Sequence, residues 1–279
     1  MNTKKDSLTV IKFGGEILET AQQLENLAQS LQSLHQQNEQ IVLVHGGGPQ
    51  ATKLSTRLGI THKMVGGRRI TDSETLEVMK MVLPGVVSSN LLALLKKYQL
   101  PGVAVSGINI IQAKKRPPKV VSGSGGELVD FGLVGDIIDV DTSLILHLLQ
   151  GRYIPIVTPL SADNNGQILN INADTVAVKL AKKLKVSRFV TITQVGGVYQ
   201  NLEDKNSKFS QLTTNEAKQK IADGVIQGGM IPKIEEGLDL LQDGQLDSFH
   251  IVGLDSAEAL LCEIKNPGSV GTAIVHNAH

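Results

Sequence analysis

Two glycine clusters, each placed after a short apolar strand pattern, constrain this chain more than any other feature. The first, Gly14-Gly15, follows Leu8–Phe13 and has Lys12 beside it, and the second, Gly46-Gly47-Gly48, follows Gln40–Val44. A helical pattern comes after each cluster, so backbone N–H groups and a helix N-terminus can meet an anion there. Because the sites of parallel sheets lie at the carboxyl ends of the strands, the clusters predict a site that grips an anionic group from two strands.

Strand and helix patterns alternate along the chain, which predicts an α/β fold with a mostly parallel sheet and helices on both faces. The predicted strands are Leu8–Phe13, Gln40–Val44, Gly102–Val105, Tyr153–Val157, Arg188–Thr193, Ser248–Val252 and Thr272–Val275. The predicted helices are Thr20–Leu34, Gln50–Leu58, Asp72–Tyr98, Thr142–Leu149, Ala173–Leu184, Asn215–Ile221, Ile231–Leu241 and Ala257–Ile264.

One stretch, from Ile108 to Asp139, shows no long helical pattern and predicts β-hairpins inserted between the helical parts. Its short apolar runs are Val120–Val121, Leu128–Val129 and Leu133–Asp139. The basic, proline-containing segment Lys114–Pro118 is interpreted as a solvated hairpin tip, because charged residues and prolines are typical of exposed turns.

Composition and charge exclude several classes of protein. A chain of 279 residues with 41% hydrophobic residues fits one large α/β domain or two small ones. Lys+Arg and Asp+Glu are both 27, and aromatic residues are 3% without tryptophan, which argues against nucleic-acid binding. The single cysteine, Cys262, excludes an intramolecular disulfide and a zinc ribbon. The first apolar strand, which follows the polar start Met1–Asp6, is too short for a signal or a membrane span, so we expect a cytoplasmic enzyme.

Two further polar motifs have ordinary structural interpretations when each is taken alone. Asn170, Asn172 and Asp174 lie at a predicted strand-to-helix junction, where the two amides would face one side and where Asn and Asp are common N-caps. Gly228-Gly229 and Lys233 open a later helix, and there the simple interpretation is a turn followed by a surface lysine. Neither motif by itself indicates a function.

Taken in order, these motifs resemble those of acetylglutamate kinases of the amino-acid kinase family, and the resemblance extends from Val10 to Val275. The motifs are Lys12-Phe13-Gly14-Gly15, His45–Gln50, Gly67–Asp72, Val129–Asp136, Asn170–Asp174 and Gly228–Lys233. Aspartokinases and uridylate kinases share the first motif but not the series. The resemblance implies one kinase domain over residues 1–279, a three-layer αβα sandwich. Residues 1–165 would bind the acyl-amino acid and form a dimer, and residues 166–279 would bind the nucleotide.

The resemblance implies transfer of the γ-phosphoryl group of ATP, carried with Mg²⁺, to the side-chain carboxylate of N-acetyl-L-glutamate in arginine biosynthesis. A carboxylate acceptor needs no general base, so positioning and electrostatics would supply the catalysis. Lys12 and Lys233 would flank the phosphoryl group, and Asp174 would orient both lysines. Mg²⁺ carried by ATP needs few protein ligands, and we expect no dedicated metal ligands.

The family pattern also implies three sets of binding residues. The phosphate-binding backbone would be that of Gly14, Gly15 and Gly47. The acceptor would meet Gly47, Gly48, Arg69 and Asn170, with Arg69 as a bidentate clamp on the α-carboxylate. The nucleotide would meet Gln194, Val195, Gly196, Gly197, Val198, Tyr199, Val225, Ile226 and Gln227. Two motifs depart from the family: Gln194 stands where the family usually has Asp, and Asn109-Ile110 stands where it usually has Asp-Gly.

Several alternatives stay open at this point. A kinase for N-acetylaminoadipate or for a carrier-linked amino acid would share every motif, and a catalytically weak regulatory relative is favoured by Gln194 alone. A nucleotide-binding oxidoreductase is disfavoured because neither glycine cluster spells G-x-G-x-x-G. Arginine-inhibited relatives carry an extra N-terminal helix that is not seen before Leu8, so the expectation is an arginine-insensitive homodimer.

Overall fold

An eight-stranded, mostly parallel sheet forms the centre of the computed structural model, which describes residues 8–61, 63–66, 68–121, 124–242 and 246–277. The strands are β1 (Leu8–Phe13), β2 (Gln40–His45), β3 (Lys63–Val65), β4 (Arg68–Ile70), β5 (Gly102–Ser106), β6 (Ile111–Lys115), β7 (Gly135–Val140), β8 (Ile154–Thr158), β9 (Leu160–Ala162), β10 (Ile168–Asn170), β11 (Arg188–Ile192), β12 (Gln211–Thr213), β13 (Ser248–Val252) and β14 (Thr272–Val275). The helices are α1 (Ala21–Gln36), α2 (Gly48–Arg57), α3 (Ser73–Lys80), α4 (Ser89–Lys97), α5 (Ser143–Gln150), α6 (Ala173–Leu184), α7 (Thr214–Ala222), α8 (Met230–Gln242) and α9 (Ala259–Lys265).

The central sheet has the order β12-β14-β13-β11-β1-β2-β8-β5, and β14 runs antiparallel to β13. A four-stranded sheet, β10-β9-β6-β7, and the hairpin β3–β4 are set apart from it. All seven strands that the sequence predicts are present in the central sheet, with β1, β13 and β14 at the predicted bounds. The predicted α/β class with a mostly parallel sheet is therefore confirmed.

Strand β1 lies at the middle of the sheet, with β2 on one side and β11 on the other, both parallel to it. Side chains alternate along a strand, so Ile11 and Phe13 pack with the apolar face of α1, while Val10 packs with that of α6. Helices thus cover both faces, which gives the three-layer sandwich. The change of direction in strand order at β1 opens a crevice at its carboxyl end, the usual place for a ligand in such sheets.

The predicted helix Asp72–Tyr98 is present but is not uniform. Helices α3 and α4 are joined by a π-helical stretch, Met81–Ser88, that contains Pro84. Proline has no N–H to donate to the preceding turn, and a widened turn accommodates this loss. The stretch Ser73–Lys97 is long and apolar enough to cross a membrane by length and composition alone. Its inner side chains pack into the apolar core beside β8, which identifies it as a core helix.

The inserted segment forms antiparallel β-structure as predicted, but with different strands. Strand β6, which was not predicted from the sequence, pairs with β7. In place of the predicted short strands Val120–Val121 and Leu128–Val129, the structure has a single bridge between Lys119 and Val129. The prediction of a solvated tip at Lys114–Pro118 is wrong in part. Lys114 and Lys115 lie in β6, and the half-buried Arg116 forms an ion pair of 2.7 Å with Asp136 of β7. The pairing of β6 with β7 places these charged residues in and next to a strand, which their residue types alone do not predict. Met1–Asp6 and Gly67 lie outside the described residues.

Glu263 of α9 is a fully buried carboxylate that holds the loop leading into β14. Its two oxygens accept the backbone N–H groups of Gly268, Val270 and Gly271 at 2.8, 3.0 and 2.8 Å, and His250 Nδ1 lies 2.8 Å from Oε1. Burial alone would raise the pKa of Glu263, but the bonds from His250 and the loop outweigh burial and lower the pKa. The ionised carboxylate therefore stabilises the folded state.

Replacing Glu263 by Gln should lower the free energy of unfolding at pH 7 by about 2–4 kcal/mol, because buried N–H groups lose a charged acceptor. Since the folded pKa lies below the ordinary value of 4.5, the stabilisation is complete at neutral pH. This stabilisation is lost as the pH falls from 4.5 through the lower pKa that Glu263 has in the folded protein. Urea unfolding of both proteins between pH 3 and pH 7 measures this. Glu258→Gln, an exposed change just before α9, is the control, and equal stability of the wild type and Glu263→Gln at pH 7 would contradict the assignment.

Candidate active site

The two glycine clusters meet at the carboxyl ends of β1 and β2. Gly46 N–H donates to the carbonyl of Phe13 at 2.8 Å, and a Cβ atom on Gly15 would lie 3.0 Å from Gly47 Cα. Gln50, in the first turn of α2, donates to the carbonyl of Gly15 at 2.7 Å. The backbones approach too closely for side chains at the junction, which explains glycine there. The two clusters therefore lie together, as the sequence predicts, and anion binding between them stays a prediction.

Lys12 projects from the carboxyl end of β1 towards α6. Its position on the strand is two residues after Val10, so it shares the α6 face of the sheet. The ammonium is almost fully buried and lies 2.5 Å from Oδ1 of Asp174, in the first turn of α6. A buried ammonium is costly unless it is paired. Asp174 supplies that partner, as the sequence analysis expected.

Lys233 lies in the first turn of α8, but it does not pair with Asp174 here. Its ammonium is 3.5 Å from the carbonyl of Gly229, and the described residues contain no ion pair between Lys233 and Asp174. The expectation that Asp174 bonds both lysines is therefore met only by Lys12. The physical reason is the direction of the side chain, which runs back towards the start of its own helix, as long side chains on helices do.

Glu236 is a member of this charged group that sequence analysis missed. It follows Lys233 by one helical turn on α8 and is half-buried. Burial raises the pKa of Glu236 to about 7, with a further rise from Asp174 and opposing effects from Lys12, Lys233 and Arg68. The only available signal was the i,i+3 spacing from Lys233, which places both residues on one side of a helix.

A buried histidine, His45, contacts both the second glycine cluster and the π-helical stretch. His45 Nε2 lies 2.9 Å from Ser88 Oγ, at the end of the π-helical stretch, and Nδ1 lies 2.9 Å from the carbonyl of Gly46. Burial lowers the pKa of His45 to about 4, so the ring is neutral at pH 7. A Cβ on Gly47 would lie 2.8 Å from the side chain of Leu83, so the π-helical stretch forms the floor beneath the cluster.

In Arg69, on β4, one terminal guanidinium nitrogen is hydrogen-bonded and the other is not. Nη2 donates to Thr52 Oγ1 at 2.8 Å and to the carbonyl of Gly48 at 3.3 Å, whereas Nη1 is buried without a partner. Burial lowers the pKa of Arg69, but a guanidinium keeps its charge at neutral pH. A buried, unpaired donor next to Gly48 fits a planar anionic group such as a carboxylate. Thr52, which orients this fork, was not predicted.

Asn170 and Asn172 serve different purposes, although the sequence analysis expected their amides to face one side. Asn170, at the end of β10, donates to Thr71 Oγ1 at 3.2 Å, directly after the strand of Arg69. Asn172 accepts from the backbone N–H of Asp174 at 2.8 Å and caps α6. The helix begins immediately after β10, so the cap requirement turns Asn172 away, and the N-cap interpretation holds for it.

The predicted nucleotide loop follows β11 and has a fixed backbone with exposed side chains. Gly196 N–H donates to Thr193 Oγ1 at 3.0 Å, and Val198 N–H donates to Thr272 Oγ1 at 2.8 Å. Gly196 has a φ of +77° and packs against Gly253, while Gly197 packs on Lys208. Gln194 and Val195 are exposed. Their side chains are free to contact a ligand.

The other predicted nucleotide residues take mixed positions. Tyr199 is half-buried and bridges to Lys208. Val225 N–H bonds the carbonyl of Lys220, and Gln227 is exposed and donates to the carbonyl of Gly224. Ile226 is buried in the core on the α6 side of the sheet. The Ile226 side chain is therefore part of the core, so only the backbone of this residue can contact a ligand.

Comparison with known proteins shows what this chain is similar to. The sequence pattern described as the Amino acid kinase family matches residues 7–252. Acetylglutamate kinase of Anaeromyxobacter sp. (strain Fw109-5) is 41% identical over 268 residues, which covers 95% of this chain and 98% of that protein. The chain therefore has a full-length relative at substantial identity.

Two solved structures share the fold. N-acetylglutamate synthase from Neisseria gonorrhoeae, complexed with coenzyme A and N-acetyl-glutamate, superposes with a TM-score of 0.81 at 24% identity, over 99% of this chain and 61% of that one. Carbamate kinase from Giardia lamblia bound to AMP-PNP superposes with a TM-score of 0.71 at 17% identity, over 98% and 99% of the two chains. At these identities the likeness concerns the fold alone.

Proposed function

This chain belongs to the amino acid kinase family, and we propose that it transfers the γ-phosphoryl group of ATP to the side-chain carboxylate of N-acetyl-L-glutamate, a step of arginine biosynthesis. The observation that carries the proposal is the buried Lys12–Asp174 pair, placed where the two glycine clusters meet. Relatives named acetylglutamate kinase at about 40% identity over 95% of the chain support the choice of acceptor.

Lys12 and Lys233 are the proposed catalytic groups, and Asp174 is proposed to keep the Lys12 ammonium in place. Negative charge is spread over the transferring phosphoryl oxygens, so fixed ammonium groups and backbone N–H groups stabilise the transition state. The backbone of Gly14, Gly15 and Gly47 is proposed to bind that phosphoryl group. The acceptor oxygen already carries its lone pair, so no residue has to remove a proton.

The N-terminal half, about 1–165, is proposed to bind the acceptor, and the C-terminal half, about 166–279, the nucleotide. Arg69, Asn170, Gly47 and Gly48 face the acceptor side, supported by the unpaired Nη1 of Arg69. Backbone and exposed side chains of 194–199 and 225–227 are proposed to hold ATP, with the Gln194 amide accepting where a carboxylate is usual.

Mg²⁺ is proposed to enter with ATP. The described residues contain no group of three or more His, Cys, Asp or Glu side chains that could hold a metal ion. Mg²⁺ commonly binds through substrate phosphates with few protein ligands, which is the reason for this proposal. A homodimer is also proposed, and the exposed Met81 and Val86 on the outer side of the π-helical stretch support it. The proposed location is the cytoplasm, where ATP is available.

An ADP-release assay with three acceptors tests the proposal. N-acetyl-L-glutamate should support turnover, and N-acetyl-L-aspartate and N-acetylaminoadipate should be weaker by about 10–200-fold in kcat/KM, the discrimination expected for one methylene. Turnover that favours N-acetylaminoadipate would reassign the acceptor. Absence of ADP release with all three acceptors would contradict the kinase proposal.

Lys12→Ala and Lys233→Ala should each lower kcat by roughly two to three orders of magnitude, because each ammonium meets charge that is greatest in the transition state. The KM values should change much less. Lys179→Ala, an exposed change on α6, is the control and should retain wild-type kinetics. Near wild-type kcat in a folded Lys12 or Lys233 variant would remove that lysine from the mechanism.

Arg69→Lys should raise KM for the acyl-amino acid by about 10–100-fold, since a lysine cannot reproduce the planar fork. The KM for ATP should stay within about twofold of the wild type. Steady-state kinetics with each substrate varied measure both values, and Arg57→Lys at the far end of α2 serves as the matched control. An equal rise in the two KM values would mean that Arg69 acts through the fold or the nucleotide.

A further inference from the structure

Thr52 has no part in the proposed reaction, yet its hydroxyl makes the shorter of the two hydrogen bonds that hold the Arg69 side chain. Arg69 Nη2 donates to Thr52 Oγ1 at 2.8 Å and to the carbonyl of Gly48 at 3.3 Å. Both acceptors belong to α2, whereas Arg69 comes from the separate hairpin β3–β4. The guanidinium therefore connects this hairpin to the start of the helix that follows the second glycine cluster.

The start of α2 is itself fixed to the junction of the two glycine clusters. Gln50 donates to the carbonyl of Gly15 at 2.7 Å, and the side chain of Ala51 is buried in the apolar core. Thr52 is the next residue of this helix, so hydrogen-bonded helical backbone connects it to both anchors. Helix α2 is thus a rigid connection between the glycine junction and the Arg69 guanidinium.

The two bonds to α2 also determine which edge of the guanidinium is left for a ligand. Nη2 carries two N–H groups, and Thr52 and Gly48 are two acceptors for them. Nη1 is buried and has no partner among the residues that the structure describes. A planar carboxylate that binds in a bidentate manner therefore takes the edge formed by Nη1 and Nε. The bond to Thr52 holds that edge in one orientation.

Thr52 affects acceptor length because the proposed acceptor has a carboxylate at each end. Its α-carboxylate is assigned to Arg69, and its side-chain carboxylate meets the phosphoryl group at the glycine junction. Since Gln50 and Thr52 tie both places to α2, the protein fixes the distance between them. An acceptor that is one methylene longer or shorter fits that distance less well, and such a difference is worth about 10–200-fold in kcat/KM.

We propose that Thr52 is a positioning residue that determines acceptor length: its hydroxyl holds the Arg69 guanidinium at a set distance from the glycine junction. This inference rests on the proposed function, which places the acceptor between these two groups. An arginine side chain has many rotamers, and a hydrogen bond at its end selects one of them. Without the Thr52 hydroxyl the guanidinium regains that freedom and can follow the carboxylate of a longer acceptor.

Steady-state kinetics of Thr52→Val test this inference, since valine keeps the β-branched shape and removes the hydroxyl. The KM for N-acetyl-L-glutamate should rise about 5–20-fold, because one hydrogen bond to a charged group is lost. The preference for N-acetyl-L-glutamate over N-acetylaminoadipate, measured as a ratio of kcat/KM values, should fall about threefold or more. The kcat at saturating acceptor and the KM for ATP should stay within about twofold of the wild type.

Thr56→Val is the matched control. Thr56 is exposed one turn further along α2, and its hydroxyl donates to the carbonyl of Thr52 at 3.0 Å. This variant removes the same group from the same helix without touching Arg69, so it should keep the wild-type KM and selectivity. Thr52→Ser retains the hydroxyl and should restore both quantities to within about threefold of the wild type.

A double-mutant cycle with Arg69→Lys separates positioning of the guanidinium from a general effect on the fold. If Thr52 acts through the guanidinium, Thr52→Val should change the acceptor KM by less than about twofold when residue 69 is already lysine. A purely structural role would raise the acceptor KM equally in both backgrounds and would raise the KM for ATP as well.

Wild-type KM and selectivity in folded Thr52→Val overturn the inference and leave the proposed function intact. Equal effects of Thr52→Val in the two backgrounds, or a Thr52→Ser variant as impaired as Thr52→Val, also overturn it. If Thr52→Val does not fold, Thr52→Ala replaces it in the same cycle. Absence of ADP release by the wild type with every acceptor overturns the proposed function and this inference together.

Discussion

The ammonium of Lys12, buried at the carboxyl end of the central strand, is the constraint on which the rest of the site depends. An uncompensated charge at this depth would cost several kcal/mol, so the chain must bring a carboxylate to it. That carboxylate comes from α6, more than half the chain away, and it arrives only if α6 packs on the Val10 face of β1. Folding of the two halves onto one sheet and assembly of the site are therefore the same event.

The other charged groups are arranged around this pair. The glycine backbones lie together at the carboxyl ends of β1 and β2, and Lys233 lies in the first turn of α8. A site that binds polyphosphate must carry excess positive charge, and that excess repels itself when the site is empty. Burial raises the pKa of the half-buried Glu236 to about 7, although the charges of Lys12, Lys233 and Arg68 oppose that rise.

The features that the sequence predicts are those determined by local pattern. The strands Leu8–Phe13, Ser248–Val252 and Thr272–Val275 and the helix Ala173–Leu184 have the predicted bounds, because apolar periodicity and flanking turns define them. The pairing of β6 with β7 and the position of Glu236 depend on tertiary contacts between distant segments. The motifs for Lys12, Asp174 and Arg69 are local, but the free Nη1 of Arg69 and its contact with Thr52 emerge only in the fold.

The π-helical stretch shows how a local backbone rule shapes a distant surface. Pro84 removes one donor from the helix, and the widened turn rotates the following residues by about 100° relative to a regular helix. In this register the side chains of Leu83 and Val87 would lie 2.8 and 3.4 Å from a Cβ atom on Gly47, and Ser88 Oγ lies 2.9 Å from His45 Nε2. The floor of the second glycine cluster thus depends on the helical irregularity, and a regular helix would place these side chains elsewhere.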